Sequence, residues 1–154
     1  MTLHSPEQLD QWVPHRGRMS LLSRIVAVDE HQVVAEVDIE PDSPFAADRA
    51  MPAWVGVEYM AQTIAAWSGE RARQRGGNPR IGLLLGTRLY KVTRPGFPFG
   101  STLQVQARCE LMGDNGLGSF RCAIALDGTE VASALLSVFE PGDDSALIQS
   151  GRAP

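Results

Sequence analysis

The chain has 154 residues, of which 44% are hydrophobic and 21% are charged, and its formal net charge is −4 at neutral pH. This length is typical of a single domain that buries its own core without disulfides or metals. The ordinary composition excludes a disordered or fibrous chain, and the negative charge argues against a nucleic-acid partner. No stretch has the pattern of a signal peptide or a membrane span, so we expect a cytoplasmic protein.

The N-terminal part of the chain predicts a short helix followed by a hairpin of two strands. Ser5 and Pro6 are typical of a helix start, and Pro14 ends that helix. A strand pattern covers residues 19–29, and alternating apolar and polar residues predict a second strand over residues 33–39. Residues 41–50 form a predicted loop that leads to the central helix.

The stretch from Met51 to Gly69 predicts a long central helix of about five turns at roughly 3.6 residues per turn. Apolar or small residues point in nearly every direction around it, which is typical of a helix buried on most sides. Its single charged residue is Glu58. A carboxyl group in such surroundings is a candidate for proton transfer near neutral pH, and a structural ion pair is the alternative. Gln62 lies one turn further on and either orients Glu58 or is a satisfied core amide.

The second half of the chain predicts four antiparallel strands and a polar tail. The strands cover residues 80–93, 103–112, 118–126 and 129–140. Asn115-Gly116 predicts a two-residue hairpin turn, with both residues at positive φ. That turn would place Cys109 directly opposite Cys122 as two buried thiols. Residues 141–154 are predicted to be a flexible tail.

The predicted order is therefore a short helix, two strands, a long buried helix and four strands. One antiparallel sheet curling around one apolar helix covers every apolar face in that order. We predict an α+β fold with a single hotdog domain over residues 1–140, in which a curved antiparallel sheet wraps a long central helix. No residue spacing indicates a metal or an organic cofactor.

Three motifs resemble those of the β-hydroxyacyl-acyl-carrier-protein dehydratases, a hotdog family of fatty-acid synthesis. The matching residues are Met51-Pro52, Glu58 and Ala61-Gln62 in the helix, Val13-Pro14-His15-Arg16 with Leu21-Leu22 and Arg24 at the first strand, and Arg94-Pro95 with Pro98 and Gly100 in a later loop. Glu58 stands six residues after Pro52, where the family has its catalytic acid. The resemblance implies dehydration of (3R)-3-hydroxyacyl groups on acyl carrier protein to trans-2-enoyl groups.

One departure from that family concerns its catalytic histidine. The family carries it in a Gly-His-Phe-Pro-Gly loop just before Met-Pro, whereas residues 44–50 here are shorter and contain no histidine. The shortened loop resembles the dehydratase-like proteins of aryl polyene gene clusters. The usual second catalytic group is therefore missing from its place.

The reaction needs a base, an acid and donors for the thioester oxygen. Glu58 is the candidate proton carrier. The amides of Ala53 and Trp54, expected to be unpaired at the start of the helix, are candidates for the oxyanion site, as the resemblance suggests. By elimination the remaining role falls to His15, for which a structural hydrogen bond to the loop is the alternative.

Positive charge is concentrated after the central helix. Seven of the fourteen lysines and arginines fall between Arg71 and Arg94, a segment without Asp or Glu. Arg71, Arg73 and Arg75 are candidates for docking an acidic acyl carrier protein with its acyl-phosphopantetheine arm, and a solvated helix end is the alternative.

Two other functions are compatible with the same residues. The chain could be a catalytically weak hotdog subunit that pairs with a complete dehydratase, or a hotdog thioesterase that uses a helix carboxylate to activate water. In each case we expect a dimer, either a homodimer or a heterodimer with another hotdog dehydratase.

Overall fold

The structure is a computed structural model, and it describes residues 20–77 and 83–140. In chain order the elements are β1 (Arg24–Val28), β2 (Gln32–Asp38), β3 (Ala50–Pro52), a 3-10 turn (Ala53–Val55), α1 (Gly56–Gln74), β4 (Leu83–Val92), β5 (Gly96–Pro98), β6 (Thr102–Met112), β7 (Leu117–Leu126) and β8 (Thr129–Phe139). The predicted N-terminal helix and the predicted tail lie outside the described residues, so the domain boundary at residue 140 stays a prediction.

The six long strands form one antiparallel sheet in the order β1-β2-β6-β7-β8-β4. The short strands β3 and β5 pair with each other. Buried and more exposed residues alternate along β2, β6 and β7, so each of these strands turns one face towards the core. Helix α1 packs against all six strands of the curved sheet. This arrangement confirms the predicted α+β hotdog fold.

The central helix begins later and ends later than predicted. Met51 belongs to β3, and α1 runs from Gly56 to Gln74. Pro52 is extended, with φ −59° and ψ 143°, and it pairs with Gly96 of β5, in the segment predicted to be a loop. The strand pair therefore takes the residues expected to form the first turn of the helix.

The later end of the helix brings in a second carboxylate, Glu70, which is only 5% exposed. Arg73 donates two hydrogen bonds to it, at 2.9 and 2.7 Å, and Gln74 donates a third at 3.2 Å. A buried carboxylate is stable only when it is paired and hydrogen-bonded in this way. The ion pair of Glu70 therefore belongs to the frame of the helix.

Aromatic side chains fix α1 against the sheet. Trp67, 1% exposed, packs edge-on against Phe120 at 5.3 Å between ring centroids, and its indole N–H donates to the Asp29 carbonyl at 3.1 Å. Nearer the start of the helix, Tyr59 packs against Phe97 at 6.3 Å. Burying such a side chain stabilises the fold by about 1.5–3 kcal/mol. The helix is thus fixed against the sheet near its start and in its second half.

The predicted pairing of the two cysteines is wrong. The register places Cys109 opposite Phe120 and Cys122 opposite Ala107. A bulge between Cys109 and Leu111 shifts the register, and the hairpin turns through a longer loop in which Gly116 is at positive φ and Asn115 is not. Both cysteines are free thiols, but Cys122 is buried and Cys109 only half-buried, so the expectation of two buried thiols is wrong for Cys109.

Burial of the Cys122 thiol predicts a loss of stability in alkali. Burial raises its pKa to about 12, whereas an unfolded cysteine titrates at about 8.5. Between these two pKa values the thiol is deprotonated in the unfolded chain and still protonated in the folded chain. The free energy of unfolding therefore falls as pH rises through this range. Urea unfolding at pH 8 and pH 10 should show a loss of about 1–2 kcal/mol that Cys122→Ala largely removes. Equal losses in wild type and variant would contradict the assignment.

Candidate functional site

Glu58 lies in the first turn of α1, where it is partly buried and held by a neighbouring amide. The side-chain amide of Gln62 donates to Glu58 Oε1 at 3.1 Å. Gln62 is itself fully buried, and its Oε1 accepts the backbone N–H of Leu21 at 2.8 Å. The Leu21 N–H therefore fixes which end of the Gln62 amide faces the carboxylate. Gln62 combines the two predicted alternatives, because it is a satisfied core amide and it contacts Glu58.

The Gln62 bridge gives a prediction for both stability and activity. Gln62→Leu removes the donor to Glu58 and leaves the Leu21 N–H buried without its acceptor, which costs about 1–3 kcal/mol. Urea unfolding measures that cost, and turnover of a 3-hydroxyacyl thioester should fall as well. The matched control is Gln104→Leu, the same change at an exposed position of β6, which should stay within about 0.5 kcal/mol of wild type. Equal effects of the two variants would contradict the bridge.

The segment ahead of α1 differs from the expected pair of free amides. The Ala53 N–H donates to the Pro95 carbonyl at 3.0 Å, so the expectation that it is unpaired is wrong. The cause is the β3–β5 strand pair, which brings Pro95 next to Ala53. The Ala53 carbonyl in turn accepts the Tyr90 hydroxyl at 2.6 Å. Ala53 is therefore a fixed point of the frame.

The backbone N–H of Trp54 differs from that of Ala53, and its role as an oxyanion donor stays a prediction. Within residues 20–77 and 83–140 its backbone N–H has no hydrogen-bond acceptor, and it lies at the positive end of the dipole of α1. Its indole ring is 61% exposed and packs edge-on against Phe45 at 5.6 Å. Of the two predicted amides, that of Trp54 can donate to a substrate oxygen.

The part of the chain that the structure describes brings no histidine close to Glu58. His31 lies in the exposed turn between β1 and β2 and lines a groove with Arg71 and Gln74. Because Arg71 is thirteen residues beyond Glu58, the two are about 20 Å apart along the helix. His4 and His15 lie outside the described residues, so the role of His15 stays a prediction.

The three arginines predicted to dock a carrier protein lie at the C-terminal end of α1. Arg71 stacks on the Trp67 ring at 4.7 Å, Arg73 is paired with Glu70 at 2.7 Å, and Arg75 is exposed. They occupy the end of the helix opposite Glu58. Their docking role stays a prediction.

One edge of the sheet carries exposed apolar side chains. Strand β4 lies at the edge, and Leu84, Leu85 and Leu89 on it are 43%, 56% and 68% exposed. Leu89 also has a positive φ of 56°, which is an outlier for a bulky side chain. A long apolar edge strand left unpaired exposes hydrogen-bonding groups to other chains.

Nowhere in the described ranges do three or more His, Cys, Asp or Glu side chains come together as a metal site would require. No described helix combines the length and the apolar character needed to cross a membrane.

Comparison with known families adds to this geometry. The family model for ApeP-like proteins, described as ApeP dehydratase, matches residues 7–149. The chain belongs to the ApeP-like dehydratase family. A solved structure described as "The Dehydratase Heterocomplex ApeI:P from Xenorhabdus doucetiae" is 32% identical, with a TM-score of 0.84, over 94% of this chain and 97% of that one. The resemblance to dehydratases is thereby confirmed. No protein with a curated description matches the sequence.

More distant structures share the fold of this ApeP-like dehydratase. The smu.793 protein from Streptococcus mutans, bound to acetyl CoA, is 16% identical with a TM-score of 0.61, over 77% of this chain and 88% of that one. A hypothetical thioesterase from Streptococcus pneumoniae, with coenzyme A, is 14% identical with a TM-score of 0.62, over 77% and 85%. These likenesses concern the fold alone.

Three residues outside the predicted set complete the frame of the candidate site. They are Leu21, Tyr90 and Pro95, which bond to Gln62 or to Ala53. Pro95 and Leu21 fall in segments with a family resemblance, so the motifs carried a signal for them. Tyr90 had none, because its contact depends on how β4 lies against the helix.

Proposed function

We propose that the chain is a subunit of a dehydratase that removes water from (3R)-3-hydroxyacyl groups on acyl carrier protein and leaves trans-2-enoyl groups. The observation that carries the proposal is the carboxylate of Glu58, held by Gln62 in the first turn of the helix. The family of the chain agrees with this chemistry. The setting we infer is the cytoplasm, in the synthesis of polyene or fatty acyl chains.

The chemistry assigns a role to each group. A base takes the proton from C2, the electrons of that C–H bond form the C2=C3 double bond, and the C3–O bond breaks. The departing hydroxyl takes a proton from an acid and leaves as water. Glu58 is the proton carrier nearest the start of the helix. The Trp54 N–H would donate to the thioester oxygen as negative charge develops on it.

The second proton-transfer group has two possible sources. His15 lies six residues ahead of Leu21, whose N–H bonds to Gln62, and a tether of that length spans up to about 20 Å. The other source is a second hotdog chain. The relative described as a dehydratase heterocomplex supports the second source, and so does the missing loop histidine.

The second chain would bind at the exposed edge of the sheet. Leu84, Leu85 and Leu89 supply apolar surface on β4, and the free edge supplies backbone donors and acceptors. A hotdog partner with a matching edge would cover both. The partner is then either a second copy of this chain or a different hotdog dehydratase.

The acyl carrier protein would meet positive charge on this chain. Arg71, Arg73 and Arg75 are candidates for that surface, and the Glu70 ion pair leaves Arg71 and Arg75 as the more available charges.

Thioesterase activity is the remaining alternative. In that reaction the thioester bond is hydrolysed and the acyl group keeps its hydroxyl. Free thiol would then appear instead of an enoyl product.

The experiment is a dehydration assay on 3-hydroxyacyl carrier protein with the purified chain, alone and with a second hotdog dehydratase chain. Activity that requires the second chain and falls when Glu58 is changed supports the heteromeric subunit. Activity of the chain alone that His15→Ala abolishes supports a complete enzyme with a relocated histidine. Thiol release without enoyl product would overturn both.

A further inference from the structure

A groove of about 490 Å³ lies beside the strand pair β3–β5, outside the group of residues around Glu58. Arg49 and Arg94 line it together with Thr93, Pro95 and Val131. We propose that this groove binds the phosphate of the phosphopantetheine arm that carries the acyl group. The inference rests on the proposed function, because that function supplies a substrate with such an arm.

Both arginines have charge available for an anion. Within the described ranges the arginine ion pairs involve Arg24, Arg73 and Arg121, and none involves Arg49 or Arg94. The Nε–H of Arg94 donates to the Gly96 carbonyl at 3.0 Å, which fixes the plane of its guanidinium. The four N–H groups of its two terminal nitrogens stay available. A planar fork held in this way suits the bidentate binding of a phosphate.

The groove lies on the correct end of the molecule for such an arm. Pro95, one of its walls, accepts the N–H of Ala53, and Ala53 is followed directly by Trp54 with its available amide. The groove therefore adjoins the end of α1 that carries Glu58. A phosphate held there would leave the arm running along the start of the helix, towards the proposed oxyanion donor.

The phosphate has two possible sources, because both acyl carrier protein and coenzyme A present a phosphate on pantetheine. An acyl-pantetheine lacks it while keeping the thioester and the acyl chain. Three substrates with the same 3-hydroxyacyl group therefore separate the contributions: the carrier-protein thioester, the coenzyme A thioester and the pantetheine thioester. The Arg71–Arg75 surface concerns the carrier protein and should matter for the first substrate alone.

The test compares these substrates in the active form of the enzyme, alone or with its partner chain. In Arg49→Gln/Arg94→Gln we expect kcat/KM to fall about 10- to 100-fold for the two phosphate-bearing substrates, the size of lost bonds to a charged group. For the pantetheine thioester it should stay within twofold of wild type. With Lys in place of Gln at position 94, the variant Arg49→Gln/Arg94→Lys should recover only part of the lost kcat/KM. A lysine ammonium group carries the charge but lacks the planar, bidentate guanidinium. Equal losses for all three substrates would overturn the inference.

The matched control removes the same two charges elsewhere. Arg108 and Arg121 lie directly opposite each other on β6 and β7, and both are exposed. Arg108→Gln/Arg121→Gln should leave all three substrates within twofold of wild type. If it lowers kcat/KM for the phosphate-bearing substrates as far as the groove variant does, general charge explains the effect and the groove does not bind the phosphate. If the groove variant Arg49→Gln/Arg94→Gln loses kcat/KM for the carrier-protein substrate alone, the groove does not bind the phosphate either.

A binding measurement keeps the inference separate from the reaction. NMR titration of the chain with 4′-phosphopantetheine should shift the backbone amides of Thr93 and Gly96, and pantetheine at the same concentration should not. The shifts should weaken with added salt and be lost in the groove variant. Equal shifts with both compounds, or none with either, would overturn the phosphate site even if dehydration is confirmed. Binding without dehydration would leave the site in place and overturn the reaction instead.

Discussion

Changing Glu58 to Gln should lower kcat for dehydration by about 10²- to 10⁴-fold, the usual contribution of a positioned acid or base. The substitution keeps the size and shape of the side chain and removes its ability to carry a proton. In the wild-type protein the Gln62 amide nitrogen lies 3.1 Å from Glu58 Oε1. The amide oxygen of a glutamine at position 58 can accept the same hydrogen bond. The free energy of unfolding should therefore stay close to that of wild type, and KM should change little.

The assay uses the chain in its active form, with the partner chain present if activity requires one. Glu40→Gln makes the same chemical change at an exposed position ahead of the site, and it should leave kcat within twofold of wild type. Loss of activity together with loss of stability in the Glu58 variant would assign the residue a structural role. Unchanged activity would mean that the proton is carried by another group.

The sequence predicted the layers of this fold better than the start of its central helix. Alternating residues set β2, β6 and β7 to within one or two positions, because one face of each strand is buried. The helix was predicted to start at Met51, since nothing local distinguishes Met51-Pro52 from a helix start. Met51-Pro52 is a strand because it pairs with β5, whose residues lie more than forty positions further along the chain. A local sequence pattern cannot predict a pairing between residues so far apart.

In the candidate site, too, the contacts between residues close in the chain could be predicted, and those between distant residues could not. Glu58 and Gln62 could be predicted as neighbours, because residues four apart share one face of a helix. The bond from Leu21 to Gln62 spans 41 positions and could not. The Ala53 amide was expected to be free and is paired with Pro95, for the same reason of distance in the chain.

The three motifs that resemble the dehydratases meet at one place in the structure. Leu21, from the first motif, bonds to Gln62 of the second, and Pro95, from the third, bonds to Ala53 beside the second. In the sequence they are separate segments, and their spacing alone gives no reason for their combination. In the fold they frame the start of α1. This gives the resemblance a physical basis, because the motifs form the support of one carboxylate and one amide.

The same frame explains why a glycine begins the helix. A Cβ added to Gly56 would lie 2.3 Å from the Tyr90 hydroxyl oxygen and 3.0 Å from Cδ1 of Ile124. Gly56→Ala should therefore destabilise the fold by about 1–3 kcal/mol, as overpacking does. In an unhindered helix the same change would stabilise by about 1 kcal/mol. Urea unfolding measures the sign directly.

A double-mutant cycle isolates the cause of that loss. Tyr90→Phe removes the atom nearest the added Cβ, and by itself it costs about 0.5–1.5 kcal/mol through the lost bond to Ala53. Gly56→Ala/Tyr90→Phe should be more stable than the sum of the two changes predicts, by about 0.5–3 kcal/mol. Strict additivity would mean that the clash lies elsewhere. Dehydration activity should fall in the variants of this series that displace Ala53. The reason is that a displacement of about 1 Å at the neighbouring Trp54 amide can cost about 10²-fold in rate.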